Sequence, residues 1–110
     1  MRIMLKSKIH GAVVTATNLD YDGSITIDRK LMKQVDILPF ERVEVMNINN
    51  GNRFETYTVE GMKNEICLNG ACARLGSIGD KLIILAYEIT ENAEFFLYPQ
   101  RVKIINSIGV

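Results

Sequence analysis

Apolar and polar residues alternate with a period of two along much of the chain, as half-buried strands require. Ser24-Ile25-Thr26-Ile27 shows it, and so do residues 42–48, where Val43, Val45 and Asn47 fall on one face. The same reading predicts strands at 3–5, 12–17, around 54–59, at 66–68 and at 102–105, with the most apolar run, 82–87, as the central strand. Asn49-Asn50-Gly51-Asn52 separates two alternating runs and predicts a hairpin, and Asp22-Gly23 is a strong turn pair of the same type. The period changes after Asp28, a good N-cap: Leu31, Met32, Val35 and Leu38 follow at helical spacing, predicting a helix over 29–36 that Pro39 helps to stop. Thr90 predicts a cap for a second short helix through 94–97, ended near Pro99. Residues 61–64, 69–73 and 76–80 read as loops or turns.

Composition sharpens this picture. Of 110 residues, 28 are Ile, Val or Thr, whose branched side chains favour a pleated surface over a helix. Trp is absent, so the core is expected to be mainly aliphatic. One mainly β domain with six to seven strands, two short helices and no repeat or linker is the expectation, and a barrel with crossover connections deals with the sheet edges.

Charge and cysteines chiefly exclude. Thirteen Lys and Arg balance thirteen Asp and Glu, which gives no general reason to expect nucleic acid or an anionic membrane as partner. Cys67 and Cys72 are spaced CxxxxC rather than CxxC, and the single His, His10, leaves no metal site expected. The first six residues hold no signal h-region and no window approaches 18 apolar residues, so a reducing cytoplasm is expected. No Walker A, GxGxxG, HExxH or Ser–His–Asp pattern is available.

Five segments carry more. Met4-Leu5, Lys8-Ile9-His10, Tyr21-Asp22-Gly23-Ser24, residues 50–57 (Asn-Gly-Asn-Arg-Phe-Glu-Thr-Tyr) and Asn69-Gly70-Ala71-Cys72-Ala73 occur in this order in a short chain. On them the chain resembles the pyruvoyl-dependent aspartate 1-decarboxylases over nearly its whole length. The resemblance implies a double-psi β-barrel assembled as a homotetramer, with the site between neighbouring subunits. It implies decarboxylation of L-aspartate to β-alanine for pantothenate synthesis. It also implies self-cleavage between Gly23 and Ser24, leaving chains 1–23 and 24–110, and a pyruvoyl group made from Ser24. That group forms a Schiff base with the substrate amine and takes the place of pyridoxal phosphate as electron sink. No metal is implied, and a maturation factor for the cleavage is left open.

The resemblance also distributes roles. Ser24 and Tyr57 are implied as catalytic, Tyr57 as the acid that reprotonates the α-carbon. Gly23, Ser24 and Thr56 are implied in self-cleavage. Lys8, Arg53, Thr56, Asn69, Gly70, Ala71 and Cys72 are implied in substrate binding, and Arg53 has the fork geometry for a carboxylate. His10 and Tyr21 are supporting candidates. Asp22 and Cys72 depart from the family's commoner Glu and Ala, and several relatives run further at the C-terminus. Two rivals stand beside this reading: a β-barrel binding or assembly module that never cleaves, and a pyruvoyl decarboxylase for a related amino acid such as glutamate.

Overall fold

The computed structural model describes residues 1–97 and 103–106. They form β1 (Arg2–Val13), β2 (Ala16–Asn18), β3 (Ser24–Asp28), α1 (Arg29–Gln34), β4 (Arg42–Asn47), β5 (Arg53–Gly61), β6 (Ile66–Asn69), a 3₁₀ helix (Gly70–Leu75), β7 (Lys81–Thr90), a second 3₁₀ helix (Ala93–Phe96) and β8 (Lys103–Asn106). The expected end of the second helix at Pro99 and the first residue of the last strand, Val102, lie outside the described residues.

All eight strands join one sheet in the order β2-β6-β3-β5-β4-β7-β1-β8. The mainly β class with short helices is as predicted, and the sheet is compatible with a double-psi barrel although no continuous ladder closes it. What curls it is chain continuity: β1 and β2 lie near opposite ends of the order, yet only Val14 and Thr15 separate them. Those two residues bridge the ends. Val14 N–H donates to Asp80 O at 2.9 Å, Gly79 N–H to Val14 O at 2.8 Å, and Thr15 N–H to Ile66 O at 2.8 Å.

The enclosed core is aliphatic, built from Ile9, Ile25, Ile27, Met32, Val35, Val43, Val45, Leu68, Leu82 and Ile84. Val43, Val45 and Asn47 share the inner face of β4, as their alternation predicts. The hairpin also forms: β4 and β5 pair antiparallel from Arg42↔Tyr57 to Met46↔Arg53, closed by Gly51 in the left-handed region (φ 78°). Asn47 Oδ1 accepts the Asn49 N–H at 2.9 Å, and Asn47 Nδ2 donates to Asp80 at 2.9 Å.

Four expectations need correction. The stretches 3–5 and 12–17 are not two short strands; β1 runs unbroken for 12 residues, with register shifts between Leu5 and Ser7 and between His10 and Ala12. Polar Lys6, Ser7 and Lys8 hid it, because Ser7 is buried with its hydroxyl donating to the Val35 carbonyl. The helix ends at Gln34, two residues short of the expected 36, and Asp36 (φ 58°) turns the chain before Pro39, which leaves Leu38 exposed. Residues 69–73 are not a loop: β6 runs through Asn69 and passes directly into the 3₁₀ helix. Finally, Asp22-Gly23 closes no hairpin. β2 and β3 never pair, because β6 lies between them, parallel to β2 and antiparallel to β3.

Candidate active site

Side chains alternate across a sheet, and directly opposed residues share a face. The ladders therefore sort the candidates. His10↔Ile83, Ile83↔Met46 and Met46↔Arg53 form one row, and Lys8↔Leu85, Leu85↔Glu44 and Glu44↔Glu55 the next. Between them runs the row Ile9, Ile84, Val45 and Phe54, which faces the core. Lys8, His10, Arg53 and Tyr57 thus share the outer face. Thr56 alternates to the inner one, half-buried. The β3–β5 ladder starts at Ile25↔Thr58, and Ile25 faces the core, so Ser24 belongs to the outer set with its partner Asn69.

Ser24 is nevertheless fully buried, and its surroundings are polar. Asn69 Nδ2 donates to Ser24 Oγ at 3.0 Å and to Thr26 Oγ1 at 2.8 Å. The Ser24 hydroxyl donates to the Asp22 carbonyl at 3.2 Å. The Cys67 thiol donates to Asn69 Oδ1 at 3.2 Å. Burial, with Glu65 adding to it, pushes the Cys67 thiol above its ordinary range, so it stays a neutral donor.

Gly70 closes this pocket. It is buried with φ 64°, and a Cβ there would lie 2.7 Å from both Gly23 N and Gly23 Cα and 2.8 Å from Tyr21 O. Only glycine lets the backbone approach so closely. Gly23, by contrast, is not left-handed, and a Cβ on it would meet nothing within 4 Å. The close backbone approach in this pocket is therefore made at Gly70 and not at Gly23.

The other candidates spread out. Tyr57 is 37% exposed, with its ring 6.2 Å from that of Phe40, beside an open pocket of about 370 Å³ that Arg42, Glu55 and Thr56 also line. Arg53 stands four residues earlier on β5, its guanidinium 3.7 Å from Glu44. The Tyr87 hydroxyl donates to the same carboxylate at 3.1 Å; burial first, then Glu44, raises its pKa. Lys8 and His10 are half-buried on β1, three strands from β5 or roughly 14 Å along the sheet. Tyr21 is exposed, with its carbonyl against Gly70. Ala71 is exposed, whereas the Cys72 side chain packs into the core, so only its backbone can face a ligand. Among the described residues no group of three His, Cys, Asp or Glu is placed to hold a metal ion. Sequence reasoning missed Thr26, Cys67 and Glu44. Nothing local singled them out: Thr26 and Cys67 join the site only through the pairing of β3 with β6, and Glu44 only through that of β4 with β5.

Fold and site together define a small β protein with a buried serine hydroxyl, fixed by an amide from another strand, next to a glycyl peptide bond. The aspartate decarboxylase family model matches residues 1–107. The chain is 52% identical over 107 residues to the aspartate 1-decarboxylase of Thermoanaerobacter pseudethanolicus, covering 96% of this chain and 92% of that protein. It is 47% identical over 108 residues to that of Dehalococcoides mccartyi strain CBDB1, covering 96% and 87%. To that of Kosmotoga olearia it is 57% identical over 96 residues, covering 86% and 84%. This chain belongs to the aspartate decarboxylase family.

Proposed function

We propose that this chain cleaves itself between Gly23 and Ser24 and then decarboxylates L-aspartate to β-alanine and CO2. The observation that carries the reading is the buried Ser24 hydroxyl, held at 3.0 Å by Asn69 beside a bond packed on Gly70, in a chain of this family. Cleavage begins as Ser24 Oγ adds to the Gly23 carbonyl carbon. The C–N bond breaks and the nitrogen takes the hydroxyl proton. Elimination across Cα and Cβ of residue 24 releases Gly23 as a carboxylate, and water then replaces the nitrogen, which leaves as ammonia.

The residues fit the pyruvoyl group that results: Asn69 Nδ2 would hold it, and the closeness of Gly70 keeps bulk away. When present, its ketone supplies the sink for the electron pair left on the α-carbon as CO2 departs. The chain's own residues do the rest. The Arg53 fork pairs with a substrate carboxylate, and Lys8 adds a second positive charge. The Tyr57 phenol delivers the proton to the α-carbon. Thr56 supports the cleavage and the bound substrate, and His10 and Tyr21 orient groups at the rim. Exposed Ile3, Tyr87 and Ile89 crowd the face that carries Lys8 and Arg53, which supports a site completed between copies in a homotetramer. Two free cysteines, Cys67 and Cys72, support a reducing cytoplasm as its compartment.

Intact mass under denaturing, reducing conditions tests this. Scaling 12.4 kDa by length, cleavage yields fragments of about 2.6 and about 9.8 kDa. The larger must react with a carbonyl reagent, and the mixture must release CO2 from aspartate and leave β-alanine. One full-length species that persists on warming and on incubation with cell extract as a source of maturation factor would support the non-cleaving module instead, and turnover of glutamate in preference to aspartate the related decarboxylase.

A further inference from the structure

The Ser24 pocket contains two groups to which the proposed reaction has given no part. Asn69 has two N–H donors, and two hydroxyl oxygens accept them: Ser24 at 3.0 Å and Thr26 at 2.8 Å. Its carbonyl oxygen faces the Cys67 sulfur at 3.2 Å. An amide of this kind can be turned by half a rotation with little change in shape, so its neighbours decide which end points where. We propose that Cys67 and Thr26 are positioning residues for the self-cleavage, holding the Asn69 amide with its nitrogen toward Ser24.

The chemistry of the two orientations differs. With nitrogen toward the hydroxyls, every polar atom of the amide has a partner: the thiol, a weak donor, gives its proton to the carbonyl oxygen, and each N–H finds an oxygen. Reversed, the amide would offer N–H to sulfur, a weak acceptor. The reversed amide would also draw the Ser24 proton onto its own carbonyl. In the observed orientation Ser24 Oγ receives a hydrogen bond while its proton points at the Asp22 carbonyl. The oxygen is then supported by a donor as its proton leaves and its charge grows. Cys67 suits this because burial keeps it protonated. Thr26 sits against Gly61, where an added Cβ would meet Thr26 Cγ2 at 2.6 Å, so the methyl occupies the room the glycine leaves while the hydroxyl faces Asn69.

This inference rests on the self-cleavage reading, and one experiment separates the two. Freshly purified full-length chain is incubated and its cleavage followed by intact mass, for wild type, Ser24→Ala, Cys67→Ala, Cys67→Ser, Thr26→Val and Thr26→Ser. Cys67→Ala and Thr26→Val are expected to cleave about ten-fold more slowly, the effect of losing one hydrogen bond. The two Ser variants, which keep a donor or acceptor in place, are expected to recover most of the rate. All are expected to melt within about 5 °C of wild type. Wild-type cleavage rates in Cys67→Ala and Thr26→Val would overturn the inference and leave the self-cleavage reading standing. So would slow cleavage in all four variants that tracks lost melting temperature without recovery by Ser. A wild type that stays whole, like Ser24→Ala, would overturn both.

Discussion

Gly70→Ala is the substitution for which the structure gives the most definite expectation. Two costs add. An alanine held at φ 64° costs roughly 1–2 kcal/mol relative to glycine. The new Cβ would also sit 2.7 Å from Gly23 N and Cα and 2.8 Å from Tyr21 O, against an ordinary carbon contact of about 3.5–4.0 Å. All three atoms belong to the backbone, so no rotamer change relieves the contact. The 21–23 segment must retreat by about 1 Å, at a further cost of roughly 1–3 kcal/mol. The sum, about 2–5 kcal/mol, corresponds to a fall in melting temperature of roughly 8–20 °C for a domain of this size. The same retreat pulls Ser24 from Asn69, whose hydrogen bond of 3.0 Å has little length to spare. Melting curves and a mass time course should therefore show Gly70→Ala both destabilised and slow to cleave. Gly23→Ala is the control: with open space around its Cβ, it is expected to fold within about 1 kcal/mol of wild type. A Gly70→Ala protein that melts within about 3 °C of wild type and cleaves at the wild-type rate would refute the reasoning.

Further expectations concern the other groups. Arg53→Ala is expected to cleave normally but to lose about 10- to 100-fold in kcat/KM for aspartate, the effect of one charged hydrogen-bonding partner; unchanged kinetics in cleaved protein would remove Arg53 from the site. Tyr57→Phe is expected to give the wild-type fragment masses while kcat drops by about 10²–10⁴, as loss of a general acid does; full turnover would exclude the phenol as proton donor. The Asn64 N–H, and with it the Lys30 N–H, hold the Asp28 carboxyl below its ordinary value of 3.8 against a smaller opposing effect of burial. A depressed carboxylate stabilises the fold above its unfolded pKa, and that contribution fades as pH falls through the lower folded value. Asp28 is half-buried at the surface, so its cap is worth about 1 kcal/mol. Wild type should out-melt Asp28→Asn at about pH 6 and lose that margin progressively as pH falls below the ordinary value of 3.8; a margin independent of pH would show that the charge plays no part.

What the sequence made legible was whatever one segment decides alone. Val43, Val45 and Asn47 announce the inner face of β4, Asn50-Gly51 announces its hairpin, and Asp28 announces α1; each element depends on residues within a few positions. The five segments of the family resemblance singled out Ser24, Arg53 and Tyr57 as candidates in the same way, by local order and spacing. What stayed hidden depends on distant partners. β1 looks polar because Ser7 is satisfied by the Val35 carbonyl, 28 residues on. Asp22-Gly23 looks like a hairpin because nothing local reveals that residues 66–69 will lie between the flanking strands. Thr26 and Cys67 look like ordinary alternating positions until β3 and β6 are brought into register, Thr26 opposite Cys67 and Ser24 opposite Asn69.

That same arrangement would let the chain keep its shape through the proposed cleavage at Gly23–Ser24. In a hairpin the turn sets the register of its strands, and cutting it would loosen both. Here neither flanking strand depends on the other. β2 is paired to β6, and β1 lies between β7 and β8 with ten paired positions on the β7 side alone. β3 is paired on one side to β6 and on the other to β5. Residues 1–23 would therefore stay docked after the cut through ladders the cut does not touch. Asn69, 45 residues along the chain, belongs to β6 and would stay facing residue 24 after the serine oxygen had left with Gly23. A peptide bond whose two sides are anchored independently, and whose serine is held from a third strand, can be given up to chemistry without giving up the fold.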